Sequence, residues 1–211
     1  MQSSLGQNSH GQNSRGQNSR GQGELFQGPH PSAPFLESDL PMQRRQLLAW
    51  QERLHAHQAP LFRGEGSSNA QTSLFAETAP DPAACLDPLA LTPLPLTFWR
   101  WPESPHQGAA IYLVLDRPAA LEQPLLLYVG ETMAADRRWK GAHDCKAYLA
   151  AYSEALQRTG LQQQLSIRFC TDVPQSTRPR RALEQRLIER WLPPFNKETQ
   201  QRWITPFTTE G

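Results

Sequence analysis

Two short β-rich runs constrain this 211-residue chain more than any other feature: Ala110 to Leu115 (Ala-Ile-Tyr-Leu-Val-Leu) and Leu125 to Val129 (Leu-Leu-Leu-Tyr-Val). Their aromatic and branched side chains suit a pleated surface. The connection between them is polar and carries Pro118 and Pro124, so they predict an antiparallel hairpin with a long loop, the second strand ending at Gly130. Leu165 to Phe169 (Leu-Ser-Ile-Arg-Phe) alternates apolar and polar and predicts a third strand. Between the second and third strands the sequence predicts a short helix carrying Asp136, Arg137, Arg138 and Trp139. A second helix is expected from an Asp144 cap to about Arg158, closed by Gly160. The expected fold class is α+β, a small three-stranded antiparallel sheet flanked by helices.

A further helix should open at Thr177 or Pro179 and stop at Pro193-Pro194. At about 100° per residue from Leu183, the residues Leu187, Trp191 and Ile188 fall at roughly 40°, 80° and 140°, which marks a buried face. Glu184 falls at about 100°, inside that arc, whereas Gln185, Arg186, Glu189 and Arg190 lie outside it. A carboxylate among apolar neighbours has to be neutralised, paired or bound to a cation, because an unpaired buried charge is strongly destabilising. A structural salt bridge is the plain reading of such a residue, and a metal site is the functional one.

The remainder of the chain reads as accessory. From Gly6 to Gln22 a five-residue unit (Gly-Gln-Asn-Ser-His or -Arg) repeats without an apolar residue, which predicts a disordered tail over 1–35. Residues 36–108 hold an amphipathic helix from Asp39 and Pro41 to about His57, with Leu47, Leu48, Trp50 and Leu54 on its apolar side and Arg44, Arg45, Gln51, Glu52 and Arg53 on the other. A Pro-rich lead-in follows, ending in an apolar knot of Leu96, Phe98, Trp99 and Trp101 that is expected to dock on the domain formed by 109–203. Charge is unevenly spread: from Arg137 to Arg202 there are thirteen Lys or Arg against six Asp or Glu, a local +7 within a chain of net +1. Such an excess suits a polyanion. Cys85, Cys145 and Cys170 are odd in number and lack Cys-x-x-Cys spacing, which argues against a disulfide framework or zinc site and for a reducing, cytoplasmic setting. The sequence contains neither a signal-peptide pattern nor a membrane-length apolar run.

Ala110-Ile111-Tyr112, Tyr128-Val129-Gly130, Arg138 ten residues after Tyr128, Glu184 in Leu-Glu-Gln-Arg-Leu-Ile and Asn196 in Pro-Pro-Phe-Asn follow one another in an order and spacing that resembles the GIY-YIG nucleases. The resemblance spans about Ala110 to Asn196. Ala110 replaces the first Gly of the pattern, the loop between the tripeptides is longer than in compact members, and His143 stands five residues after the arginine where some members place a histidine at four. It implies a DNA endonuclease using Mg²⁺ (or Mn²⁺) held by Glu184, with Tyr112 as general base, Tyr128 bonded to the same water or phosphate and Arg138 gripping the phosphate. Asn196 and Gly130 would shape the site, with Lys140 and His143 beside it and Glu131 a candidate to orient the metal's waters. Hydrolysis of a phosphodiester calls for these parts: an activated water, a Lewis acid and cations facing the transition state. A binding module without catalysis and an adaptor are the alternative readings. Gln71-Thr72-Ser73-Leu74-Phe75 resembles the short peptide by which bacterial repair proteins bind the sliding clamp, so Gln71, Leu74 and Phe75 are expected to contact one. Gln58 to Phe62 and Gln22 to Phe26 share its outer frame.

Overall fold

Strand β1 (Ala110–Asp116) lies in the middle of a three-stranded antiparallel sheet, between β2 (Leu125–Thr132) and β3 (Ser166–Cys170). The computed structural model describes residues 43–65, 81–140 and 144–204, all within one compact unit. Every residue of β1 is buried because both faces of the sheet are covered, which explains its continuous apolar run. On one face Tyr112, Val114, Leu125 and Leu127 pack with Leu47, Trp50 and Leu54 of α1 (Arg44–Phe62) and Leu149, Tyr152 and Leu156 of α4 (Asp144–Arg158). On the other, Ile111, Leu113, Leu126 and Val129 pack with Leu183, Leu187, Ile188 and Trp191 of α5 (Thr177–Trp191). The short helices α2 (Pro82–Cys85), α3 (Ala135–Arg138) and α6 (Gln200–Trp203) complete the order.

A β-bulge reshapes the hairpin. Val114 pairs with Tyr128 but Leu115 pairs with Leu126, so Leu127 is the extra residue. Both Leu127 and Tyr128 consequently pack on the face that holds Tyr112. Without the bulge, simple alternation would send Tyr128 to the face of Leu126.

The outer edge of β2 is closed by three side chains and one backbone N–H rather than by a fourth strand. The Gln58 amide of α1 donates to Leu126 O (2.9 Å) and accepts from Leu126 N (2.8 Å), and also donates to Trp191 O (3.0 Å). Phe195 N donates to Leu127 O at 3.0 Å. Asn196 pairs with Val129 in both directions, Nδ2 to O at 2.8 Å and N to Oδ1 at 3.0 Å. Glu184 Oε1 accepts from Glu131 N at 2.9 Å. An exposed strand edge is an invitation to mispairing, and here these partners occupy it from Leu126 N to Glu131 N.

Several expectations need correcting. The second strand continues through Gly130 to Thr132, since α5 supplies a hydrogen-bond partner beyond the glycine. Helix α1 runs past His57 to Phe62 because Gln58 and Ala59 are buried against the body of the protein. Gln51 is buried, not solvated, and donates to Tyr152 Oη at 2.6 Å; that hydroxyl donates in turn to buried Asp116 at 2.8 Å. The clamp-peptide frame of Gln58 to Phe62 is helical, with Gln58 spent on β2 and Phe62 against Trp191 at 4.5 Å. Phe98 of the apolar knot is buried and Leu94 pairs with Ile167 of β3, whereas Trp101 remains exposed. The Gly-Gln-Asn-Ser repeat, Asp39 to Met42, Gln22 to Phe26 and Gln71 to Phe75 lie outside the described residues.

Candidate active site

Tyr112 is fully buried at the centre of the sheet, and its hydroxyl accepts a hydrogen bond from Arg138 Nε at 3.1 Å. Arg138 comes from the last turn of α3, which the chain reaches directly after β2. The Tyr128 hydroxyl is hydrogen-bonded to that of Tyr112, and the two rings lie 5.9 Å apart at 29°. Trp139 closes the cluster edge-on to Tyr112, at 5.9 Å and 77°. Gly130 stands opposite Tyr112 in the β1–β2 register, and a Cβ on it would collide with Tyr112 Cζ and Oη and lie 2.8 Å from Tyr128 Cε1. Only a residue without a side chain leaves the tyrosine this path over β2.

Glu184 enters the same region from α5, on the far side of β2. It is half-buried, and the hydrogen bond from Glu131 N holds its Oε1 one residue beyond Gly130. Its Oε2 accepts no hydrogen bond among the described residues. Burial pushes the carboxyl up to about 7; the Glu131 N–H draws it down, and the charges of Glu131 and Glu198 add to the rise. A salt bridge is therefore not what neutralises Glu184. The acid that is paired is Glu131, with Oε2 2.9 Å from Arg180 Nε and Oε1 3.2 Å from Arg181 Nε. Arg180 is itself fully buried, donating also to the carbonyls of Pro174 (3.1 Å) and Gln175 (2.9 Å). That ion pair fixes the end of β2 to the start of α5 and commits the Glu131 side chain elsewhere than to a metal's waters.

The electrostatics of the tyrosines depart from expectation in one respect. Desolvation pushes Tyr112 up to about 12, although the Arg138 charge and hydrogen bond and the Tyr128 hydroxyl all pull the other way. Burial raises Tyr128 further, with the Tyr112, Cys145 and Glu184 charges acting in the same sense. The nearby cation thus reduces the cost of ionising Tyr112 without making it a base by itself.

The other expected residues are placed as follows. Asn196 is buried and bonded to Val129, the residue before Gly130. Lys140 is exposed just after α3, and His143 lies outside the described residues. Nothing in the residue types signalled the buried Arg180 or the buried Cys145 beside the tyrosines. Arg180 belongs to a basic run, Arg178 to Arg181, that reads as a solvated helix start.

Among the described residues no three His, Cys, Asp or Glu gather as metal ligands. The donor set is one carboxylate with a hydrogen-bond-free oxygen. That fits a hard divalent ion that keeps most of its waters, such as Mg²⁺, and not a zinc site. No helix among the described residues is long and apolar enough to cross a membrane. No protein-family model, curated protein or solved structure matches the chain.

Proposed function

We propose that the chain is a metal-dependent DNA endonuclease of the GIY-YIG type, hydrolysing phosphodiester bonds at the edge of β2 around Gly130. The observation that carries this reading is the meeting of Tyr112, Tyr128, Arg138 and Glu184, drawn from four different elements, about one glycine. A core does not need a half-buried carboxyl that lacks a salt-bridge partner, and desolvated acids of this kind cluster at functional sites.

In this reading each group has a task. Arg138, hydrogen-bonded through Nε to Tyr112, supplies the guanidinium charge that would hold phosphate oxygens and orient the diester. Glu184 would hold Mg²⁺ or Mn²⁺, and such an ion, when bound, supplies Lewis-acid stabilisation of the phosphate charge. Tyr112 Oη accepts a proton from the attacking water only when positive charge beyond that of Arg138 lowers it from about 12. Tyr128 keeps its proton and steadies Tyr112 Oη, and Asn196 and Gly130 keep β2 in place beneath them. The basic excess between Arg137 and Arg202 attracts the DNA backbone. Work in repair or processing, with recruitment to a clamp through Gln71, Leu74 and Phe75, extends the same reading; loss of clamp pull-down on Leu74→Ala plus Phe75→Ala tests that part.

The deciding experiment incubates the protein with plasmid, branched, flapped and single-stranded DNA, with and without Mg²⁺ or Mn²⁺. Cleavage that needs the metal and disappears in Glu184→Gln supports the reading. Binding without cleavage of any of these substrates would replace it with the binding-module alternative.

A further inference from the structure

The apolar knot before β1 does more than fill a core, because its second half faces solvent beside the candidate site. Phe98 is buried, and the chain then turns outward through Trp99 and Arg100 to Trp101, whose indole is 45% exposed and has no ring, ion-pair or side-chain hydrogen-bond contact among the described residues. Arg100 Cζ lies 5.1 Å from the Trp99 ring centroid, and Lys146 Nζ lies 5.8 Å from that ring and 5.6 Å from Trp139. Trp139 in turn abuts Tyr112, and Arg138 precedes it. Lys146 therefore ties Trp99, next to Arg100 in the chain, to Trp139, the residue after Arg138, and its Nζ also donates to Trp139 O at 2.5 Å.

We infer that Trp101, with Arg100 and Lys146, is a subsite for an unpaired nucleotide strand leading away from the Arg138 site. The inference rests on the nuclease reading for its direction but not for its chemistry. An exposed indole has the π-face on which any base can stack, and the cations Arg100 and Lys146 on the same surface attract the phosphate backbone that carries the bases. A duplex keeps its bases stacked on one another and offers Trp101 none, so the subsite selects substrates with a single-stranded arm. The segment 98–101 lies ahead of the residues that carry the nuclease resemblance, so this surface is a feature of the chain's own lead-in.

The test measures equilibrium binding in EDTA, where no cleavage occurs, by anisotropy of a labelled oligothymidylate of about twelve nucleotides and of a duplex of equal length. Trp101→Ala should weaken the single strand about tenfold and leave the duplex within about twofold. Arg100→Ala should weaken the single strand and lower the slope of log affinity against log salt by about 0.7. Thermal unfolding of both variants should match the parent, since both side chains are on the surface. Single-strand affinity unchanged in Trp101→Ala, or lost equally for duplex, overturns the subsite. Metal-dependent plasmid cleavage by the parent is read separately: cleavage with an unchanged Trp101→Ala sinks the subsite alone, and an absence of cleavage with weakened single-strand binding sinks the nuclease reading alone.

Discussion

Tyr112 crosses β2 directly over Gly130, so closely that the glycine's missing side chain is the space the phenol occupies. Gly130→Ala therefore has to displace either the ring or the strand. Overpacking of this kind costs about 1–3 kcal/mol. Thermal unfolding should show the loss of stability, and single-turnover cleavage should fall with it because Tyr112 Oη is pushed off Arg138 Nε. A variant with parental stability and rate would mean that the tyrosine path is not restricted at this point.

At Glu184 the prediction has a pH sign. The folded carboxyl sits near 7 where an ordinary glutamate sits at 4.5. As pH rises above 4.5 the unfolded chain ionises first, so metal-free stability falls up to about 7 and is level beyond it. Glu184→Gln lacks that loss, and its advantage over the parent should grow across this window and then stop growing. Cleavage runs the other way, because only the ionised carboxylate holds a cation: the rate should rise with pH, with a midpoint that moves lower as Mg²⁺ is raised. Glu184→Gln should abolish cutting while DNA affinity stays within a few-fold, and cutting by the variant would remove Glu184 from the metal.

Tyr112 and Arg138 are expected to act as one unit. Tyr112→Phe should slow the chemical step by on the order of 10². Arg138→Lys should be nearly as damaging as Arg138→Ala, since an ammonium cannot reproduce the Nε bond to Tyr112 and a two-pronged grip on phosphate together. Combined in a double variant, the effects should fall well short of additive. Rescue of most activity by lysine would reduce Arg138 to a point charge.

Gln58 lies far from any chemistry in sequence but holds three backbone groups with one amide. Gln58→Ala should lower stability by on the order of 3 kcal/mol, because Leu126 N, Leu126 O and Trp191 O lose buried partners. Urea unfolding should show a lower midpoint with an unchanged slope. A change under about 0.5 kcal/mol would mean that water replaces the amide there.

Much of the architecture was legible because it depends on local pattern. The three strands, the helix of Asp144 to Arg158 and the buried face of Leu183, Leu187, Ile188 and Trp191 stand where periodicity and turn residues put them. The order Tyr112, Tyr128, Arg138, Glu184 was equally visible as a set of residue types. What could not be read depends on partners distant in sequence. The bulge at Leu127 leaves no mark in a run of three leucines, yet it decides which face Tyr128 takes. Gln51 and Gln58 have the polarity of surface residues and are buried because Tyr152 and Leu126 await them. Arg180 looks like its solvated neighbours until Glu131 is folded against it. The raised Tyr112 phenol is likewise a tertiary effect, since burial outweighs the arginine that the sequence placed beside it.

The closed outer edge of β2 also has a bearing on synthesis. Its partners come from Gln58 on one side and from Glu184, Phe195 and Asn196 on the other, so the strand is flanked in space by residues made long before it and long after it. A nascent chain that stops short of Glu184 carries a largely apolar β1 and a β2 whose outward peptides have only one of their guardians. Such an intermediate is the form most open to strand exchange with another copy, and the chain passes beyond that hazard only when its last helices emerge.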